Sequence, residues 1–96
     1  MENQPQEIKI ADNIPGAEYT NIMQVNHTAE EFTLIFANLA GASGKVVSKV
    51  ITSPGHMKRI VDALADNIKK YEDQFGTIKT AVAPEGQKEI GFEDRK

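Results

Sequence analysis

Between Ser53 and Gly76 the chain reads SPGHMKRIVDALADNIKKYEDQFG, a segment with its own start signal, stop signal and unbroken apolar stripe. Ser53 is a good N-cap, because its hydroxyl can accept a hydrogen bond from a backbone N–H of the first turn. Pro54 falls at the first helical position, where a missing N–H costs nothing and a fixed φ suits the helix. Gly76 supplies the positive-φ residue that commonly closes a helix, and Lys69 and Lys70 lie in the C-terminal half, where the helix dipole favours cations. Met57, Val61, Leu64, Ile68, Tyr71 and Phe75 follow one another in steps of four, three, four, three and four, with Ile60 alongside. That is the spacing of a helical seam and of a short heptad run. Lys58, Asp62, Asp66, Lys69, Lys70 and Asp73 occupy the outer face, where Asp66 and Lys70 form a correctly oriented i,i+4 pair. The segment predicts one long amphipathic helix, and a helix with such a stripe requires an apolar surface to cover.

The preceding residues predict that surface as a small sheet. Tyr19, Met23 and Val25 alternate on one face of a first strand, with Thr20, Ile22 and Gln24 on the other. Thr28-Ala29-Glu30-Glu31 has the form of a capping box, in which the threonine hydroxyl bonds a backbone N–H and Glu31 reaches back. No helical pattern follows it, so a tight turn between antiparallel strands is expected. Phe32–Leu39 is the most apolar segment: Phe32, Leu34 and Phe36 face one way, Ile35, Ala37 and Leu39 the other. A strand apolar on both faces is normally central. Ala40–Gly44 is a glycine-rich connection suited to a hairpin, and Val46–Thr52 is a β-branched third strand. The expected fold is therefore α+β, a three-stranded antiparallel sheet followed by one long amphipathic helix (β-β-β-α) and completed by dimerisation.

Residues 1–16 are polar, contain Pro5 and Pro15 and lack a sustained period; they read as a flexible N-terminal arm. Residues 17–76 make up the domain. Residues 77–96 carry scattered charge with Pro84, Gly86 and Gly91, and read as a mostly disordered tail whose only anchors are Ile90 and Phe92.

Oligomerisation is expected because a core this small yields little net stability, and the usual supplements are disulfides, metals or association. The 96 residues include no cysteine, which excludes disulfides, thiolate metal sites and thiol redox chemistry. A helix from Pro54 to Phe75 is about 33 Å long, and strands of seven or eight residues reach only about 25 Å. The stripe would overhang the sheet at Tyr71 and Phe75. One helix also covers only one face of the central strand. Ile35, Leu39, Leu64, Ile68, Tyr71 and Phe75 are thus the expected assembly surface of a homodimer.

Charge is unevenly distributed. Residues 32–71 hold six bases against two acids, a balance of +4, whereas the remainder holds five bases against twelve acids, a balance of −7. Acidic ends on a mildly basic centre suit a solvated surface; the alternative is a weak anion-facing surface masked by its own ends. No apolar run approaches the roughly 18 residues of a membrane span and the N-terminus lacks an apolar signal core. The expected setting is a prokaryotic cytoplasm, with no membrane partner.

From Gly16 to about Lys79 the chain resembles the prokaryotic family known as domain of unknown function 3467. The matching residues are Tyr19-Thr20-Asn21, His27–Phe32 (HTAEEF), Lys49–Arg59 (KVITSPGHMKR), Ala63–Glu72 (ALADNIKKYE) and Phe75-Gly76. The resemblance implies a small sheet-plus-helix domain with no assigned activity, so it transfers no catalytic residues. Lys49 stands where the family pattern has arginine, which weakens a bidentate anion contact at that position.

Candidate chemistry is sparse. His27 and His56 are the only histidines, and a metal site would need them to converge with Glu30 or Glu31; a histidine packing near a turn or a helix start is the simpler reading. The helix N-terminus, with Ser53, Gly55, His56, Lys58 and Arg59, could accept a phosphate or carboxylate; a plain N-cap is again simpler. The AGASGK loop lacks P-loop spacing and opens no helix. Ser43, Ser48 and Ser53 have no recognisable histidine–acid arrangement, and Glu30 and Glu31 do not read as a paired-carboxylate mechanism. No catalytic residue, cofactor or metal is expected. The residues favour a small non-enzymatic homo-oligomeric interaction module, with a protein partner open. A weak single-stranded nucleic-acid binder is the alternative, because strands followed by one long helix in a dimer resemble the whirly and Pur-type binders in architecture alone.

Overall fold

The computed structural model describes residues 6–84. Its elements run β1 (Ile22–His27), β2 (Phe32–Ala40), β3 (Ser43–Thr52) and α1 (Pro54–Phe75), so the expected β-β-β-α order holds. The strands form one antiparallel sheet in the order β1-β2-β3, which makes β2 central.

Each junction has a local cause. Between β1 and β2, Thr28 Oγ1 accepts from the backbone N–H groups of Glu30 and Glu31, both at 3.2 Å. Thr28 N–H in turn donates to the backbone oxygen of Glu31 at 2.9 Å. The capping box thus closes a single turn, with the Glu31 carbonyl in the place expected for its side chain. Between β2 and β3, Ala40 pairs with Ser43 across a two-residue loop, Gly41-Ala42. Gly41 has φ 63°, and among the described residues no non-glycine residue has positive φ. Glycine at the first central position with positive φ there alone is the mark of a type II′ turn, whose twist suits a hairpin. The five-residue connection expected from AGASG is therefore a two-residue turn, and β3 begins three residues earlier than its β-branched run suggested. Gly44 is required for a different reason: a Cβ there would lie 2.9 Å from Leu39 Cδ1 and 3.0 Å from the Asn38 carbonyl oxygen.

β1 starts later than expected, at Ile22, because Asn21 replaces a strand residue with its side chain. Asn21 Nδ2 donates to Leu39 O and Asn21 Oδ1 accepts from Leu39 N–H, both at 2.9 Å. One carboxamide thus satisfies both backbone groups of Leu39, as a paired strand residue would. Beside it, the Ala37 carbonyl accepts from Asn21 N–H at 3.1 Å and from Thr20 Oγ1 at 2.7 Å.

The helix spans the predicted bounds. Ser53, extended at φ −76° and ψ 157°, accepts from His56 N–H. Proline at position 54 disfavours helical torsions at Ser53, so the strand-to-helix change happens at this one residue. At the far end Gly76 has φ 98° and donates its N–H to Glu72 O at 2.9 Å. Asp66 and Lys70 pair at 3.1 Å as predicted, and Lys69 with Asp73 at 3.2 Å. The chain past the helix is tied back once, where Ile78 N–H donates to Glu72 Oε2 at 2.8 Å. The anchors Ile90 and Phe92, and most of the tail, lie outside the described residues.

The relation of helix to sheet departs from expectation. Among the described residues the extensively packed element pairs are β1 with β2 and β2 with β3; the helix has no comparable contact with any strand. No helix residue is buried. The core consists of Leu34 and Ala37, at 6% and 7% exposure, on opposite faces of β2. The helix was expected to cover one sheet face and overhang it by excess length. It covers neither face, and β3, with 10 residues, is about as long as the helix. Hydrophobic periodicity determined which side of the helix is apolar. It carried no information about what that side would meet.

Candidate assembly surface

Strand register sorts the sheet side chains into two faces. Met23, Val25 and His27 stand opposite Phe36, Leu34 and Phe32, which stand opposite Ser48, Val50 and Thr52. Behind them lie Ile22 and Gln24 with Ala37 and Ile35, facing Val46 and Lys49. Val47 is the extra residue of a bulge in β3, where the register shifts between Phe36 and Ala37. Both faces have an apolar centre on β2 and an exposed apolar margin: Met23, Val25 and Val50 on the first, Val46 and Ile51 on the second. Ile35 and Leu39 lie on the second face and are half-buried.

Helix α1 presents the larger apolar surface. Val61, Leu64, Ile68, Tyr71 and Phe75 retain 52%, 60%, 50%, 51% and 66% of their exposure. Only Met57 and Ile60, near the sheet, are half-buried members of the stripe. At its far end Tyr71 and Phe75 already pack on one another, ring centroids 4.9 Å apart, as aromatics one helical turn apart can. A continuous apolar row of this length, flanked by Lys58, Asn67, Glu72 and Gln74, exceeds the single scattered hydrophobics that are normal on a surface.

The other candidates assemble less. The first-turn N–H of His56 is taken by Ser53 Oγ, so capping uses part of the proposed anion site; Gly55, Lys58 and Arg59 lie exposed beside it. His27 packs against Phe32 with ring centroids 5.5 Å apart, a strand-end contact. Among the described residues, no three histidine, aspartate or glutamate side chains gather where they could hold a metal ion. Sequence reasoning missed two features. Asn21 stood in a motif recognised for its resemblance, yet its amide role needs the Leu39 backbone, which only the fold brings near. Gln24 Oε1 is shielded from solvent without a donor among the described residues, on the strand face that alternation gave to Thr20, Ile22 and Gln24.

The stripe, the two-sided sheet and the Asn21 clasp all lie within residues 19–76. A family model described as a protein of unknown function, DUF3467, matches residues 1–80. The chain belongs to the DUF3467 family. The match takes in the N-terminal arm as well as the sheet and helix, and so exceeds the stretch from Gly16 to Lys79 on which the resemblance rested. No curated protein and no solved structure matches the chain. This DUF3467 domain has, among its described residues, no helix long and apolar enough to cross a membrane.

Proposed function

We propose that this DUF3467 chain is a non-enzymatic interaction module that works as a homodimer and binds through its assembled surface. The observation that carries the reading is the apolar row Val61, Leu64, Ile68, Tyr71 and Phe75, half or more exposed on a helix that buries no residue. Two further features support it. The described chain buries only two apolar side chains, too few to offset the ordering of three strands and a helix of 22 residues. Both faces of the sheet also keep apolar margins that a second protein surface can cover.

A second copy is the simplest occupant, since it is present whenever the chain is and brings the same apolar row. Static light scattering on the full chain at tens of micromolar tests this. Twice the chain mass is the expected result; the mass of a single chain overturns the reading.

A further inference from the structure

We infer that the two copies pair through α1 and that the paired helices run antiparallel. This rests on the homodimer reading and adds the orientation, which follows from the stripe. In heptad terms Val61, Ile68 and Phe75 take the a positions, and Met57, Leu64 and Tyr71 the d positions. Apolar residues at every a and d position over these three turns of the repeat make the row a helix–helix seam in form.

Orientation is decided by layer volumes and by the flanking charges. In an antiparallel pair each a residue meets a d residue of the other copy. The row is symmetric about residue 66, so every member finds a mate: Met57 faces Phe75, Val61 faces Tyr71, and Leu64 faces Ile68 of the second chain. Each large side chain meets a smaller one, and the seam keeps nearly constant thickness along its length. A parallel pair instead stacks Phe75 on Phe75 and Tyr71 on Tyr71 at one end, with Val61 on Val61 toward the other, where Met57 meets Met57. Such a seam bulges at the aromatic end and is thin at Val61, and packed interiors tolerate neither.

The e positions are Lys58, Ala65 and Glu72. Antiparallel pairing sets Lys58 of each copy against Glu72 of the other and places the two Ala65 methyl groups together at the symmetry axis. Lys58 makes no ion pair among the described residues. Glu72 uses Oε2 for the Ile78 N–H, which leaves Oε1 to accept from a lysine. In the parallel arrangement Lys58 falls beside Ser53 and Glu72 beside Asn67, with no charge matched. Flanking charges of this kind set helix orientation.

The antiparallel arrangement also closes. The far end of each helix lies beside the β3–α1 junction of the other copy, so residues 76–84 emerge next to the partner's sheet rather than into solvent. A two-fold axis through residue 66 makes one isologous interface with no open end for further copies.

Because the chain contains no cysteine, single cysteines at Arg59, Asp66 and Asp73 can carry nitroxide labels on the outer face of the full chain. Pulsed electron spin resonance then reads the distance between the two copies at each site. Antiparallel helices give a short distance at position 66, on the order of 20 Å across two helix diameters, and longer distances at 59 and 73. Those two sites are offset along the axis by about 21 Å at 1.5 Å per residue, giving separations of about 30 Å. Equal distances at all three positions overturn the antiparallel assignment and leave the homodimer standing. A dimeric mass whose distances fit neither pattern places the interface off the helix and overturns the assignment as well. Absence of any intercopy coupling, together with the mass of one chain, overturns both readings.

Discussion

Replacing Ile68 by aspartate separates a helix whose apolar row is covered from one whose row faces water. Ile68 is 50% exposed in the single chain, so about half of its surface remains to be removed from water on assembly, worth about 1 kcal/mol per copy. In the proposed seam the introduced carboxylate would face Leu64 of the second copy, and an uncompensated charge at such a site costs about 3 kcal/mol more. Each dimer contains the change twice, so association weakens by about 8 kcal/mol, between five and six decades in Kd. Any dimer with a nanomolar constant is then a monomer at tens of micromolar. In a chain that works alone, the same change on an exposed helix face shifts stability by about 0.5 kcal/mol or less. Light scattering on Ile68→Asp beside the parent chain reads the mass, and far-ultraviolet circular dichroism reports whether the helix persists. A parent dimer whose Ile68→Asp variant keeps the same mass and helicity refutes the assignment of the stripe to the interface. Asp66→Ala, two residues away on the outer face, is the control and leaves the mass unchanged.

Two further changes address the sheet. Asn21→Ala removes both side-chain bonds to Leu39 and leaves that residue's N–H and carbonyl without protein partners, a loss of about 2 kcal/mol in urea denaturation; a change below about 0.5 kcal/mol shows that water replaces the clasp without penalty. Gly41→Val forces a β-branched residue to φ 63° at a site with no atom within 4 Å of its Cβ, so the expected destabilisation, about 2 kcal/mol, is backbone strain alone; Gly41→Asn, which tolerates that region, loses less, and equal losses for the two refute the strain account.

Local chemistry made the helix legible. Ser53, Pro54 and Gly76 act within one turn of themselves, so both helix ends lie where those residues predict. The order and antiparallel pairing of the strands were legible for a related reason: Thr28 and the glycine-rich hairpin each reverse the chain within a few residues. Strand boundaries were less so. Ser43, Gly44 and Lys45 have weak strand propensity and belong to β3 only because the type II′ turn at Gly41 delivers them into register with β2. Asn21 was illegible as a clasp because its partner lies 18 residues away in sequence. Leu64, Ile68, Tyr71 and Phe75 were read as an assembly surface for a reason the fold replaces. Excess helix length predicts an overhang at Tyr71 and Phe75, whereas the row is uncovered from Val61 onward because the helix departs from the sheet. Periodicity is a property of one element, while the direction in which that element leaves the domain is set at a joint between two.

That joint is Ser53. A single residue separates the last residue of a 10-residue strand from a 22-residue helix, and its torsions are held by proline on one side and by the bond from His56 N–H on the other. The helix is therefore a lever about 33 Å long pivoting on one hinge pin. A rotation of about 10° at Ser53 carries Phe75 through about 6 Å, more than the height of a helical turn, while Met57 hardly moves. Substitutions that loosen the cap should accordingly be felt most at the end of the row farthest from them, and the aim of the whole apolar surface is governed by a residue that is no part of it.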